Sequence, residues 1–147
     1  MLQFIREMVY IMKWKMEYFE QADTTQPAEI FENVLKISHS KLLGKLFQVT
    51  GELKLYGYRL GGGYIEKCHD YQGLWEIRVI HRGLLAREFF GFDGERIVLL
   101  YGYSKRTGQP ASEHDLKKAF TYWQEYQRTR HVSPMQEEDL WVDTSSA

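Results

Sequence analysis

The chain has a single cysteine, Cys68, among its 147 residues. No intramolecular disulfide can form, and a reducing, cytoplasmic setting is the expectation. Long hydrophobic runs are missing too. No stretch of about 18 apolar residues occurs, so nothing reads as a membrane-spanning helix. Residues 1–16 are partly apolar but carry Arg6, Glu7, Lys13 and Lys15, which does not fit a signal peptide. Charge of one sign is lacking, with 19 basic and 20 acidic side chains and a net charge of −1. Net charge alone therefore does not point to a polyanion partner. Gly61-Gly62-Gly63 lacks the Lys and Ser/Thr of a phosphate-cradling loop and reads as a hinge. Cys68-His69 has no further ligands at metal spacing, so neither a metal nor another cofactor is expected. No Ser/His/Asp arrangement, internal repeat or low-complexity tract is discernible.

Hydrophobic residues make up 44% of the chain and aromatics 15%, enough for one domain with a sizeable core. The near-zero charge is unevenly spread. Residues 54–131 hold 13 basic and 9 acidic side chains, a local +4, while residues 132–147 hold four acids and no base. The basic middle contains the most informative stretch, Leu74–Arg106. Trp75, Ile77 and Val79 alternate with Glu76 and Arg78, the period of a half-buried strand. Arg82-Gly83 signals a tight turn into Leu84–Phe92, and Asp93-Gly94 another into Ile97–Tyr103. A two-residue loop at Arg82-Gly83 sets Arg78 directly opposite Arg87, on the face away from Trp75, Ile77 and Val79. Like charges in that position oppose folding. An anion held between two guanidinium forks would reverse the cost. In the second hairpin, a loop over Asp93-Gly94 places Leu100 opposite Arg87, whereas a loop over Asp93–Glu95 places Tyr101 there. The second register gathers Arg78, Arg87, Tyr101, Tyr103 and Lys105 on one surface and is the expectation, although a one-residue slip would flip the strand.

Elsewhere, Met12–Phe19 alternates as a strand. A helix over Gln26–Ile37 is expected, capped by Thr25, with Ile30, Phe31, Val34 and Leu35 as its apolar stripe. A second helix should run from Ser40 to Thr50 and stop at Gly51. Tyr64–His69 reads as an additional strand. Ser112 is a good N-cap for a helix reaching about Gln127, with Leu116, Ala119, Phe120, Trp123 and Tyr126 on its buried face. The expected organisation is a domain over residues 12–130, an N-terminal extension over 1–11, and an acidic tail over 131–147. The fold class is α+β: a small antiparallel sheet of four to five strands with helices packed on one side, in the order β-α-α-β-β-β-α.

The segments GLWEIRV (Gly73–Val79), Ala86-Arg87-Glu88, RIVLLYGYSKRTGQP (Arg96–Pro110) and DLKKAF (Asp115–Phe120) resemble the RelE/HigB-like toxins of type II toxin–antitoxin systems, specifically their phage-derived branch. The resemblance runs from about Gly63 to Gln127. It implies a RelE-like fold and an RNA-binding face. It also implies metal-independent cleavage of mRNA, usually on the ribosome, and a cognate antitoxin, commonly of helix-turn-helix type. Carried over by motif, the functional cations are Arg78, Arg87 and the pair Lys105-Arg106. Tyr101 and Tyr103 stand where this branch commonly has histidine and phenylalanine, and Ala86 replaces a tyrosine.

Metal-free RNA cleavage by 2′-OH attack needs a base, an acid and fixed cations for the phosphorane. The expected catalytic set is Arg78 and Arg87 on the phosphate, Lys105 as charge stabiliser or acid, and Tyr103 as a stacking or proton-relay group. Arg106, Lys67, Arg82 and Tyr101 are the expected RNA-binding residues. His81 and His69 are weaker candidates for the base. The opposing reading pairs Arg78 and Arg87 with Glu76 and Glu88 as ordinary ion pairs, worth under about 1 kcal/mol each at a surface. The expected function is thus an endoribonuclease toxin acting on mRNA and the ribosome, with no membrane or direct DNA partner. The alternatives are a degenerate protein-binding module that pairs with a helix-turn-helix partner, and a gyrase poison.

Overall fold

The computed structural model describes residues 14–135. The expected N-terminal extension and the tail beyond residue 135, with Leu140 and Trp141, lie outside the described residues. The described elements are β1 (Lys15–Phe19), α1 (Pro27–Ser38), α2 (Ser40–Tyr56), β2 (Ile65–Lys67), β3 (Trp75–His81), β4 (Leu84–Asp93), β5 (Arg96–Arg106), α3 (Glu113–Thr129) and β6 (Val132–Pro134). They form an α+β fold around one open sheet of order β2-β3-β4-β5-β1-β6. All pairings are antiparallel except β1 with β5. The sheet has six strands rather than four or five. The sixth, β6, is a three-residue strand too short to carry a periodic signal, and it pairs with β1.

Two of the three helices cover one face of the sheet and the third covers the other, which corrects the expected one-sided layering. Trp14, Met16 and Tyr18 of the first alternating run pack with Phe31, Leu35, Leu46 and Leu53 of α1 and α2, and with Ile77, Val79 and Phe90 of the sheet. On the opposite face Ala119, Trp123 and Tyr126 of α3 pack with Phe19, Phe89, Val98 and Leu100. Two sheet glycines mark the close approaches. A Cβ on Gly102 would come 2.2 Å from the Phe31 ring, and one on Gly91 2.4 Å from the Trp123 ring. Periodicity finds a helix's apolar face, but it does not say which side of a sheet that face meets.

Local chemistry explains the other departures. Thr25 does not cap α1, because its hydroxyl donates to Asp23 at 2.6 Å. The N-cap is Gln26, without a side-chain cap bond, and Pro27 supplies the fixed φ of the first turn. The buried stripe of α1 is Ala28, Phe31, Glu32 and Leu35. Ile30 and Val34 are 53% and 57% exposed instead. Helix α2 runs through Gly51, which is buried, and ends at Gly57. Gly57 has φ +58°, and a Cβ there would strike Trp14 at 2.3 Å.

The first hairpin matches expectation. Arg82 and Gly83 take left-handed φ values of 50° and 78°, and Arg78 pairs with Arg87. The second hairpin matches neither expected register. Its loop is Gly94-Glu95, because Asp93 stays in the strand and pairs with Arg96. There its carboxylate accepts from Tyr126 at 2.7 Å and Arg130 at 3.0 Å. A bulge at Phe89/Phe90 then shifts the pairing once more, and Tyr103 rather than Tyr101 lies opposite Arg87. The two one-residue shifts preserve parity, so Tyr101, Tyr103 and Lys105 still alternate onto the Arg87 face.

Candidate functional site

Strand pairing sets Arg78, Arg87 and Tyr103 in one row across β3, β4 and β5. Directly opposed residues in such a row have Cβ atoms roughly 5 Å apart. The two arginines do not face each other bare. Glu76, two residues before Arg78 on the same face, lies between them. Arg87 Nη1 donates to Glu76 Oε1 at 2.8 Å, and Arg78 Nε lies 3.7 Å from the same oxygen. Arg78 Nη2 also reaches Glu66 at 2.9 Å, across the β2–β3 pair. Arg87 and Glu76 are buried, while the Arg78 side chain is 41% exposed. The anion that the opposed arginines call for is thus supplied, at least in part, by the chain itself. Glu76 is the member of the site that was expected only as a competing surface partner. Its strand alternation with Arg78 was the available signal.

Glu88 does not pair with Arg87. It lies on the opposite face, fully buried, beside Glu32. Burial first, then the charge and hydrogen bonding of Glu32, raise its pKa well above the ordinary carboxylate range. Tyr18 donates to Glu32 in the same buried group.

The Tyr103 ring stacks on Phe89 at 6.0 Å, and its hydroxyl oxygen accepts from the Ser112 backbone N–H at 3.0 Å. Ser112 in turn caps α3 by accepting from Asp115 N. Burial raises the Tyr103 pKa, an effect opposed by that N–H and by Arg87. The phenol therefore keeps its proton near neutrality and can donate it. Lys105 Nζ lies 5.7 Å from the Tyr103 ring centroid, beside the end of the row.

The remaining sequence candidates are dispersed. Tyr101 turns under α3, where its hydroxyl donates to Asp115 at 2.6 Å and its ring meets Tyr122. Lys67 pairs with Trp75 and sits over that ring, on the face away from Arg87. Arg82 and Arg106 are exposed at the far end of the β3–β4 hairpin, next to His81. His69 and Cys68 line a cleft of about 160 Å³ beside Glu76. Burial, then Glu76 and Glu66, push the Cys68 thiol up to about 12, so it is no ready nucleophile. No group of three or more His, Cys, Asp or Glu among the described residues is placed to hold a metal. Arg78 also lines a cleft of about 530 Å³ between α2 and β3, which Tyr103 and Lys105 do not reach. Arg87 and Glu76 thus form the buried floor of the row, with Arg78 exposed at its edge. No helix among the described residues is long and apolar enough to cross a membrane.

One family model, described as phage derived protein Gp49-like (DUF891), matches residues 17–124. That span begins in β1 and ends within α3, and so includes the whole row. No curated protein and no solved structure matches the chain.

Proposed function

Because this chain belongs to the Gp49-like family of phage-derived proteins, a RelE/HigB-like toxin family, we propose that it is the toxin of a toxin–antitoxin pair and cleaves mRNA without a metal ion. The observation that carries this reading is the row Arg78–Arg87–Tyr103 with Lys105 at its edge. Arg87, buried and held by Glu76, is a fixed cation, and Arg78 is the more exposed one at the rim. Together they hold the scissile phosphate and stabilise charge on the phosphorane. Guanidinium has five donors in a plane, so each arginine can keep its carboxylate contact and still meet a phosphate oxygen. The protonated Tyr103 donates toward the departing 5′ oxygen or stacks on a base, and Lys105 adds charge beside it. The partner is the cognate antitoxin, of helix-turn-helix type, and the substrate is mRNA on the ribosome.

The test is expression of the full chain with and without Arg87→Ala, followed by mapping of mRNA ends. Growth arrest with cuts inside translated codons is expected for the wild type. The variant should lose about 10²–10³ in cleavage, the scale for removal of one fixed charge-stabilising donor. Full cleavage by a folded Arg87→Ala protein would end the assignment.

A second reading has its own observation. Glu76 already occupies the space between the two arginines, as expected of a degenerate relative that binds a partner and cuts nothing. Absence of both arrest and cleavage, with a stable complex formed with the helix-turn-helix protein, would favour it. Arrest with DNA damage would instead indicate a gyrase poison.

A further inference from the structure

A second cluster of cations lies away from the row, where the α1–α2 corner meets the tip of the β3–β4 hairpin. His39 and Lys41 come from the corner, His81 and Arg82 from the hairpin, and Arg106 from the end of β5. They line an open cleft of about 630 Å³ with no carboxylate among its lining residues. Four other arginines find acids: Arg78 and Arg87 have Glu76, Arg96 has Glu17, and Arg130 has Asp93. Lys41, Arg82 and Arg106 make no ion pair among the described residues. His39 is the N-cap of the 17-residue helix α2 and makes no side-chain cap bond, so the first N–H groups of that helix face the cluster unsatisfied by a cap. The His81 imidazole feels the congestion. Slight burial first, then Lys45, Arg82 and Lys41, lower its pKa.

Gathering Lys41, Arg82 and Arg106 with no carboxylate among the lining residues opposes folding. We infer that the cleft is a phosphate-binding site that holds the backbone of an RNA strand leaving the Arg78–Arg87–Tyr103 row. Arg78 and Arg82 are four residues apart along β3 and its turn, about 13 Å at strand rise; the row lies on the α3 face and the cleft on the α1–α2 face, so a strand that touches both passes around the β3 edge, where Arg78 lines the neighbouring cleft against α2. Lys41 and Arg82 are its principal phosphate contacts, and the open N-terminus of α2 adds oriented N–H groups. The inference rests on the RNA reading of the row for its ligand, but its residues are different ones.

The experiment uses the full chain and a fluorescent eight-nucleotide RNA with 2′-O-methyl sugars, which cannot be cut. Binding is read by anisotropy across a salt series. Lys41→Glu with Arg82→Glu should weaken binding at least tenfold and make the salt slope shallower by about 1.4, from two lost phosphate contacts at about 0.7 each. Lys41→Gln with Arg82→Gln is the milder pair should charge reversal disturb folding, which circular dichroism would report. Wild-type affinity and slope in folded double variants would overturn the site. So would saturation of the cleft by inorganic phosphate with octamer binding unaffected by the substitutions. Loss of antitoxin binding with RNA binding unchanged would assign the cluster to a protein partner and would also overturn it. The two proposals fail separately. If the wild type cuts no RNA yet octamer binding depends on Lys41 and Arg82, the cleft stands and the nuclease reading falls. If Arg87→Ala abolishes cleavage while the double variants bind as wild type, the reverse holds.

Discussion

Glu76 carries two opposite electrostatic roles with one carboxylate. It offsets the repulsion between Arg78 and Arg87, and it competes with any phosphate that approaches them. The balance can be read from Glu76→Gln, which keeps the shape and one acceptor but removes the charge. The buried Arg87 then loses its charged partner, and stability should fall by about 1–3 kcal/mol, measurable as a lower urea midpoint. RNA binding should move the other way. The site gains a unit of positive charge, affinity for an uncleavable octamer should tighten, and its salt slope should steepen by about 0.7 for one more phosphate contact. Unchanged or weaker RNA binding by the folded variant would mean that the row does not meet phosphate at all, and that Glu76 only completes an internal ion pair.

At the scale of elements, the site depends on how closely helices approach the sheet from both sides. Gly91 lies under Trp123 of α3, and α3 is tied to Tyr103 through Ser112. Gly91→Ala should cost about 1–3 kcal/mol by overpacking and should displace the helix that positions Tyr103. Gly94→Ala meets open space, and its cost of about 1 kcal/mol comes from a left-handed φ of +58° alone. Chemical denaturation of the two variants separates these causes, since only Gly91→Ala should also perturb Tyr103 fluorescence or side-chain NMR signals. Equal behaviour would contradict the packing account. The same closeness shows what could be read in the chain beforehand. Arg78 opposite Arg87 followed from one turn whose chemistry is unambiguous. The Arg87–Tyr103 pairing did not, because Asp93 is drawn back into its strand by Tyr126 and Arg130, residues about 35 positions away, and because the bulge at Phe89/Phe90 has no local signature. Glu88 cannot partner Arg87, because alternation puts adjacent strand residues on opposite faces. The layering of α3 and the strand β6 depended on contacts that no window of sequence contains.

For the whole molecule, the buried acids Glu88 and Glu32, with Tyr18, sit between α1 and the sheet, on the side away from the candidate site. They couple global stability to pH. The Glu88 pKa is raised in the folded chain, by burial and then by Glu32, whereas in the unfolded chain it should be about 4.3. Between those two values the folded state binds more protons than the unfolded state. Stability should therefore be highest below the unfolded value and should decline as pH rises from about 4.3 toward the raised folded value, beyond which this contribution is flat. Glu88→Gln keeps the volume and removes the titration. Its unfolding free energy should fall less between pH 5 and 8 than that of the wild type, and it should be the more stable protein at the upper end, as read from denaturant midpoints across pH. Parallel wild-type and variant curves would mean that Glu88 gains a compensating partner when it ionises, and that the layer under α1 is not the pH-sensitive part of this fold.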